Sequence, residues 1–340
     1  MTLKEIAKRA NVSVSTVSRI INSSDGNFAR KEIRDKVWEI IRETEYVPNQ
    51  SAIELKLNKT KKDFRKPITF ACILGRTKNL DDNPFFAEVA RAVEQKALSL
   101  GYVVSLSYSV LDLANLELLK KIESVKTEGA VVIGRFDMST IQFLKNHYKN
   151  IVYVGRNVID TELDQIICDG YEATREALNY LIRFGHRRIG YIGETVNEIR
   201  YKAYLNIVNE EKLDLDSTLV CSCPQNGAGG YQGADALLQK AKPLPTAVFC
   251  ATDVAAIAAI RRFNEAGIKI PEDISVVGMD DIELAGYVSP MLTTVGMPKA
   301  ELGNIAVQTL VSRINKNHKL PMKIFLPFKL AIRESVVKRL

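Results

Sequence analysis

From residue 68 to near the end of the chain, short apolar runs alternate with longer segments that have a helical period. Strands that alternate with amphipathic helices form parallel sheets covered by helices on both faces. Since 340 residues exceed what one hydrophobic core holds, we expect two such sheets in an α/β fold. Two short strands are predicted near the end, and the other predicted strands lie at 68–74, 102–106, 130–133, 151–154, 189–192, 219–221, 247–250 and 274–277. The predicted helices between them lie at 85–99, 113–125, 172–184, 199–210, 231–240, 254–266 and 302–314.

The charge of the chain is concentrated in its first 66 residues. They hold 15 Lys and Arg against 9 Asp and Glu, whereas the remaining 274 residues hold 32 against 31. Most of the net charge of +7 therefore lies in the first fifth of the sequence. A basic module on a nearly neutral body indicates a polyanionic partner for that module, and a basic surface that binds nothing is the alternative.

This basic segment opens with the signals of two short helices joined by a tight turn. Thr2 and Glu5 form a capping-box pattern at the start of a helix that ends near Ala10. Asn11 follows, where a tight turn needs the positive φ that Asn tolerates. Ser13 is suited to cap the next helix. A third helix, predicted over 31–45, would brace the pair, so the pattern predicts a helix-turn-helix.

The second helix, predicted over 14–21, has a polar face of short side chains with one arginine. Short hydroxyl side chains allow a helix to approach phosphates and base edges closely, and Arg19 can form two hydrogen bonds with guanine. The alternative is a small helical bundle with a surface rich in Ser and Thr. The residues of this face are Ser15, Thr16, Ser18, Arg19 and Asn22.

Other parts of the sequence exclude several classes of protein. No run approaches the about 18 apolar residues of a membrane span, and the N-terminus has no apolar signal core. The five cysteines are scattered, which argues against a disulfide framework, so we expect a cytoplasmic protein. Cys221 and Cys223 form only a weak metal pattern, and the glycines of 227–230 lack the Lys of a phosphate loop. We expect no metal, no cofactor, no catalytic residue and therefore no enzyme.

Residues 3–7 (LKEIA) and 10–22 (ANVSVSTVSRIIN) resemble the opening of the lactose/galactose repressor (LacI/GalR) family. Residues 46–49 (YVPN), with Ala52 and Leu55, resemble the hinge of that family. The resemblance implies that Val14, Ser15 and Arg19 read bases in the major groove of DNA. It implies contacts with phosphates, or support of such contacts, for Thr2, Ser13, Thr16, Ser18 and Asn22. In the hinge, it implies DNA contacts for Asn49, Ala52 and Leu55.

The resemblance makes residues 49–57 a hinge helix that folds on DNA, since nine residues alone are only marginally helical in water. Leu55 side chains from two subunits would then wedge into the minor groove. Two features depart from the family pattern. Ile53 and Glu54 stand where a basic residue usually follows the hinge alanine, and the stretch 23–30 is longer than in many relatives.

The body also resembles this family, whose core is similar to sugar-binding periplasmic proteins. Residues 83–86 (NPFF), 185–193 (GHRRIGYIG), 274–281 (ISVVGMDD) and 290–295 (PMLTTV) carry the resemblance. It implies two lobes, a ligand cleft and three crossovers. The predicted domains are a helix-turn-helix domain at 1–48, a hinge and linker at 49–66, and a core for effector binding and dimerisation at 67–340. Lobe 1 is predicted at about 67–159 and 291–320, and lobe 2 at about 160–290 and 321–340.

The ends of the predicted strands indicate which residues would bind the effector. Ligands of open α/β sheets bind beyond the carboxyl ends of the strands. Arginines, carboxylates and aromatic rings at such an edge suit a polyhydroxyl ligand. Residues that follow predicted strands, and that the resemblance also places in the effector cleft, are Phe85, Phe86, Arg200, Asp253 and Asp280. Gln225 stands where relatives often have an aromatic residue, which disfavours a flat purine and favours a sugar. For Asp253, the alternative is a helix N-cap beside Thr252.

These patterns predict a ligand-controlled transcription repressor that binds a pseudopalindromic operator as a homodimer and is released by a sugar. Residues 325–330 (FLPFKL) look most like relatives that control galactoside use, so galactose or a β-galactoside is the expected effector. One alternative is a catabolite regulator of the same family that binds a phosphorylated carrier protein. Another, from a different class, is a sugar-binding or sugar-modifying protein that does not bind DNA.

Overall fold

The computed structural model describes residues 2–22, 29–44, 68–75, 83–109, 120, 122, 124–214 and 216–339. Contacts divide the chain into two compact units, a head of residues 1–66 and a body of residues 67–340. Over these described ranges, no helix is both long and apolar enough to cross a lipid bilayer.

The head contains helices α1 (Leu3–Ala10), α2 (Val14–Asn22) and α3 (Lys31–Glu43). Their apolar faces meet in one small core, in which α1 contacts both of the other helices. The buried members of this core are Ile6, Ala7, Ala10, Val17, Ile20, Val37 and Ile40. Trp38, the only tryptophan of the sequence, lies on α3 with 41% of its surface exposed.

The turn between α1 and α2 forms as its sequence predicts. Thr2 and Glu5 form the predicted capping box, in which the Thr2 amide donates to the Glu5 carboxylate over 2.7 Å. Asn11 takes the left-handed conformation with φ of 55°. The Ser13 hydroxyl accepts a hydrogen bond from the Thr16 amide over 3.1 Å and so caps α2. The helix-turn-helix prediction is therefore confirmed in the head.

Lobe 1 of the body is built on a parallel sheet. Among the described residues, its strand order is β11-β5-β4-β3-β1-β2. The strands are β1 (Thr69–Leu74), β2 (Val103–Ser109), β3 (Ala130–Ile133), β4 (Ile151–Gly155), β5 (Asp164–Ile167) and β11 (Lys323–Phe325). The helices of this lobe are α4 (Pro84–Ser99), α5 (Met138–His147) and α10 (Lys299–Ile314).

Lobe 2 repeats this architecture with one antiparallel edge. Within the described residues its strand order is β12-β10-β9-β8-β6-β7, and only the β10–β12 pair is antiparallel. The strands are β6 (Ile189–Gly193), β7 (Val220–Ser222), β8 (Ala247–Cys250), β9 (Ser275–Asp280), β10 (Thr293–Gly296) and β12 (Lys329–Ala331). The helices are α6 (Gly170–Arg183), α7 (Ile199–Glu210), α8 (Gly227–Lys240) and α9 (Asp253–Glu265).

Both faces of these sheets are buried, as the continuous apolar runs predict. On β1, Phe70 and Cys72 belong to one hydrophobic cluster, whereas Ala71 and Ile73 belong to another. Successive side chains of a strand point to opposite faces, so each face has its own core. The first of these clusters also includes Phe249 of β8, so one core extends through both lobes. The predicted α/β fold, with parallel sheets between helices, is confirmed.

The chain crosses between the lobes three times, but not where the sequence boundaries were expected. The strand order places β5 and β11 in the sheet of lobe 1, although 160–290 and 321–340 were assigned to lobe 2. It also places β10 in the sheet of lobe 2, although 291–320 was assigned to lobe 1. The crossings therefore follow β5, β10 and β11. At the first two crossings, the Cys168 thiol contacts the Met297 sulfur over 3.0 Å.

Some elements differ from their predicted positions. Helix α5 was not predicted, and neither were β5 and β10, each of four residues. Helix α8 begins at Gly227 rather than residue 231, because the Asn226 side chain caps it through the Gly229 amide over 2.9 Å. The helix predicted over 113–125 falls mostly outside the described residues.

Candidate functional site

The first candidate site is the exposed face of α2 in the head. Ser13, Ser15 and Arg19 are exposed, and Val14, Thr16 and Ser18 are half-buried at the edge of the same face. The Ser13 hydroxyl lies 2.7 Å from that of Ser15 and 2.8 Å from that of Thr16, so these side chains form one linked group at the start of the helix. Thr2 is exposed at the start of α1, and Asn22 is the last residue of α2.

This face combines features that suit the phosphates and base edges of DNA. Amide groups of the first turn of a helix, with hydroxyl side chains beside them, form a site for a phosphate group. Arg19 lies in the last turn of the same helix. The predicted hinge residues Asn49, Ala52 and Leu55 lie outside the described residues.

The second candidate site is a cavity of about 460 Å³ between the two lobes of the body. It lies at the carboxyl ends of the strands of both sheets, which is the position that open α/β sheets use for ligands. Lobe 1 contributes residues after β1, β3 and β4 and from the start of α4, while lobe 2 contributes residues after β6 and β7. The polar and aromatic residues of the wall are Asn83, Phe85, Phe86, Arg135, Tyr153, Arg156, Asn157, Glu194, Asn197, Glu198, Arg200, Gln225 and Asn226.

Glu198 is the centre of a hydrogen-bond network in the lobe 2 wall. It caps α7 through the Arg200 amide and accepts the Arg200 guanidinium over 2.7 Å and 3.0 Å. It also accepts the Gln225 amide over 2.9 Å, and the Gln225 oxygen accepts from Arg200 in turn. Burial alone would raise the pKa of Glu198, but the Arg200 guanidinium lowers it to about 2. The wall therefore presents a fixed array of ionised groups whose charges are already paired.

Arg135 joins this network from the other side of the cleft. It follows β3 of lobe 1, and its guanidinium donates to the Asn197 carbonyl over 2.7 Å and to Glu198 over 3.2 Å. It also forms an ion pair with Glu194, which follows β6. Contacts of one side chain with three residues of lobe 2 hold the two walls of the cavity together.

Arg156 makes a second connection between the lobes. It follows β4 of lobe 1, and it forms an ion pair with Asp280 at the end of β9 in lobe 2. Its guanidinium lies over the Phe85 ring, 4.5 Å from the ring centre, and its Nε has no partner among the described residues. Burial favours the neutral form of each group, so it raises the pKa of Asp280 and lowers the pKa of Arg156. The ion pair between them opposes both shifts.

Asp253 lies beneath the cavity rather than in its wall. Thr252 caps α9, and Asp253 is the first residue of this helix, fully buried. Its carboxylate accepts the Thr294 hydroxyl over 2.5 Å and the Ile282 amide over 2.9 Å. Burial and the nearby Asp280 raise the pKa of Asp253 to about 7. Asp253 therefore positions the turn that follows β9.

The structure brings together four of the six predicted effector residues in the cavity wall: Phe85, Phe86, Arg200 and Gln225. Asp280 does not line the cavity but pairs with Arg156, which does. Asp253 does not line it either, and it holds the turn after β9 through the Ile282 amide. The sequence analysis missed Arg135, Arg156, Glu194 and Glu198. The strand-end rule applied to Asp280 could have found the two arginines, since Arg135 comes two residues after β3 and Arg156 directly follows β4.

The described part of the chain contains the weak metal pattern at Cys221 and Cys223 and the glycines that only look like a phosphate loop. No group of three His, Cys, Asp or Glu side chains is arranged to hold a metal ion anywhere in the described ranges. The glycines at 227–230 lie in α8, where a side chain on Gly230 would collide with the Ala255 backbone of α9. These glycines allow two helices to pack closely.

Comparison with known proteins finds a match in each of the two units of the chain. Residues 2–49 match the family described as "Bacterial regulatory proteins, lacI family", and residues 178–336 match "Periplasmic binding protein-like domain". A solved structure described as "transcriptional regulator CelR-cellobiose complex" is similar, with a TM-score of 0.73 and 27% identity. The similarity covers 98% of this chain and 99% of the CelR chain.

Full-length relatives give the same result. The "Ribose operon repressor" of Haemophilus influenzae is 34% identical over 98% of both chains. The "HTH-type transcriptional repressor PurR" of Proteus mirabilis is also 34% identical, over 98% of this chain and 96% of the relative. A head that matches the family, and relatives aligned over nearly their full length, leave one conclusion. The chain belongs to the lacI family of bacterial regulatory proteins.

Proposed function

We propose that this protein, a ligand-responsive DNA-binding repressor of the lacI family, is released from its operator when a sugar enters the interlobe cavity. The relatives are repressors, and the chain is a regulator rather than an enzyme. The observation that carries the proposal is the cavity itself, which combines aromatic rings with paired arginines and carboxylates at the strand ends of both lobes.

The chemistry of the wall favours a polyhydroxyl ligand. A sugar hydroxyl both donates and accepts hydrogen bonds, so it can insert between groups such as Arg135 and Glu198 without leaving a buried charge unpaired. The Phe86 ring offers an apolar surface for the C–H face of a sugar. A purine gains most from flat partners that stack on its faces, whereas the Phe85 and Phe86 rings are inclined by 71° and Gln225 is not aromatic.

Ribose is the first sugar to test, since a relative that is 34% identical is named "Ribose operon repressor". Galactose and a β-galactoside remain candidates because of the resemblance of residues 325–330. In the structure, these residues run from the last residue of β11 through the crossing into β12, and the cavity wall does not include them. A direct comparison of the sugars must therefore decide between them.

For binding to a pseudopalindromic operator, we propose a homodimer formed partly through an exposed apolar patch on lobe 2. The exposed fractions of Leu284, Tyr287, Met291 and Ile332 are 56%, 75%, 37% and 62%. Backbone hydrogen bonds from the Glu334 and Ser335 amides to the Met291 carbonyl bring the two segments of this patch together. A patch of this kind marks a protein–protein contact more often than open surface.

The proposal predicts a loss of operator affinity that is separable from sugar binding, measured by fluorescence anisotropy on a duplex that full-length protein selects from a random pool. D-ribose, D-galactose, a β-galactoside, cellobiose and hypoxanthine are added in turn, and one sugar is expected to lower operator affinity. Arg19→Ala should lower affinity for the selected duplex by about 5- to 150-fold, the value of one bidentate base contact. Affinity for that sugar should be unchanged.

Lys36→Ala is the matched control, because Lys36 is exposed on α3 and its loss removes the same charge. If Lys36→Ala lowered operator affinity as much as Arg19→Ala does, the head would bind DNA only through its net charge. That result would contradict the base-reading role of Arg19. Release by hypoxanthine alone would contradict the sugar effector. Tight binding that no small molecule changes would favour the alternative in which a phosphorylated carrier protein controls the repressor.

A further inference from the structure

The turn after β9 has an unusual backbone for its sequence. Asp280 and Asp281 are consecutive residues with positive φ, of 127° and 51°. Residues other than glycine rarely adopt these backbone conformations, which persist only where surrounding contacts hold them. This turn also carries Asp280, the partner of Arg156 in the cavity wall.

Side chains of both lobes hold the turn in place. The Asp253 carboxylate of α9 accepts the Ile282 amide over 2.9 Å, and Arg333 pairs with the Asp281 carboxylate over 2.6 Å. These contacts lie within lobe 2. The other two come from lobe 1, where Arg156 reaches the Asp280 carboxylate and Lys299 reaches the backbone.

Lys299 is the first residue of α10 in lobe 1. Its ammonium donates to the Asp280 carbonyl over 3.1 Å and to the Asp281 carbonyl over 2.5 Å. It also lies 3.5 Å from the Glu88 carboxylate of α4, and only 12% of its side chain is exposed. One buried ammonium therefore links the strained turn of lobe 2 to both α4 and α10 of lobe 1.

The two helices that Lys299 joins are packed closely against each other. At Gly303 of α10, an added Cβ would lie 2.8 Å from the Val89 carbonyl and 2.6 Å from Ala92 of α4. Helix α4 begins in the cavity wall with Phe85 and Phe86. The turn is thus connected with lobe 1 at the cavity, through Arg156, and behind it, through Lys299.

We propose that Lys299 is a positioning residue. When a ligand occupies the cavity, Lys299 transmits the resulting displacement of the Asp280–Asp281 turn to helices α4 and α10. This inference rests on the proposed function, because it assumes an effector in the cavity. A ligand oxygen that accepts from the unpartnered Nε of Arg156 draws this guanidinium from Asp280. The turn then loses one of its contacts and relaxes, and Lys299 carries the displacement of its two carbonyls into α10.

The test is a thermodynamic cycle on full-length protein. Three quantities are measured for the wild type and for Lys299→Met: operator affinity without sugar, operator affinity with saturating sugar, and sugar affinity without DNA. The sugar is the one that releases the wild type, with D-ribose tried first. The ratio of the two operator affinities is expected to fall about tenfold towards 1 in Lys299→Met, because the lost contact is a buried, charged hydrogen bond.

Two further variants separate transmission from general stability. Lys299→Arg retains the charge and the donors, so its ratio should stay within about twofold of the wild type. Lys145→Met is the matched control, since Lys145 is exposed on α5 of the same lobe, and it should leave the ratio unchanged. Thermal unfolding of all variants reports any loss of stability.

The outcomes distinguish the two proposals. In one outcome, the wild type responds to a sugar while Lys299→Met has the same ratio of operator affinities as the wild type. This result would overturn the role of Lys299 and leave the proposed function intact. A lowered melting temperature with an unchanged ratio would do the same, since it would assign Lys299 a structural role only. A wild type that responds to no sugar would overturn both proposals.

Discussion

At the scale of single residues, the body relies on buried charges that differ in their surroundings. Glu198 has a low pKa because Arg200 lies against it, whereas Asp253 has a pKa of about 7 because two hydrogen-bond donors do not offset its burial. The first carboxylate can therefore serve as a fixed acceptor at every physiological pH. The second gains or loses a proton near neutrality.

Asp253 predicts a pH dependence of stability. Its pKa is raised on folding, so between about pH 4 and pH 7 the folded protein holds a proton that the unfolded chain has released. The free energy of unfolding should therefore fall as the pH rises through this range. Asp253→Asn removes the titration, while its amide can still accept from Ile282 and donate to Thr294. Relative to this variant, the wild type should lose up to about 4 kcal/mol between pH 4 and pH 8.

Urea unfolding at several pH values, followed by circular dichroism, measures this difference. Asp273→Asn is a suitable control, because Asp273 is an exposed carboxylate of the same lobe. A constant difference between the wild type and Asp253→Asn at all pH values would contradict the raised pKa.

The position of Asp253 also shows where sequence reasoning stops at this scale. Its place after β8 predicted a side chain in the cleft, as for Asp280. Its direction is set instead by Thr294, which is 41 positions later in the chain. In contrast, the direction of the Arg200 side chain follows from a local partner, Glu198, two residues away. Contacts between distant segments are not visible in a local pattern.

At the scale of elements, the head illustrates how much local signals can determine. The capping box, Asn11 and the cap at Ser13 each act within four residues, and each was predicted correctly. The segments that contain β5, β10 and β11 were assigned to the wrong lobes, because a strand of three or four residues belongs to the sheet that its distant partners form. Helix α5 was missed because few of its residues, such as Ile141 and Leu144, are buried.

The turn between α1 and α2 gives a prediction at this scale. Asn11→Val should destabilise the head by about 1–2 kcal/mol, because a β-branched residue strongly disfavours the left-handed conformation. Asn11→Gly, which adopts this conformation freely, is the control and should unfold near the wild type. Fluorescence of Trp38, the only tryptophan, reports the head within the full-length protein during urea unfolding. Equal midpoints for Asn11→Val and the wild type would refute the role of this turn.

At the scale of the whole molecule, the proposed dimer depends on the apolar patch of lobe 2. Tyr287→Asp places a charge on the most exposed member of this patch, with 75% of Tyr287 exposed. The variant should sediment as a monomer at micromolar concentration and lose most of its operator affinity, since one head then binds without the other. Leu320→Asp alters an equally exposed apolar residue away from the patch and should remain a dimer. A dimeric Tyr287→Asp variant would place the contact elsewhere.

The three crossings have a consequence for the synthesis of the protein. Lobe 1 is completed by β11 at Lys323–Phe325 and lobe 2 by β12 at Lys329–Ala331, so each sheet lacks its last strand until that late segment has left the ribosome. The described core of the head lies between Ile6 and Ile40, so it can form much earlier. During translation, a nascent chain can therefore carry a folded helix-turn-helix before any interlobe cavity exists to control it.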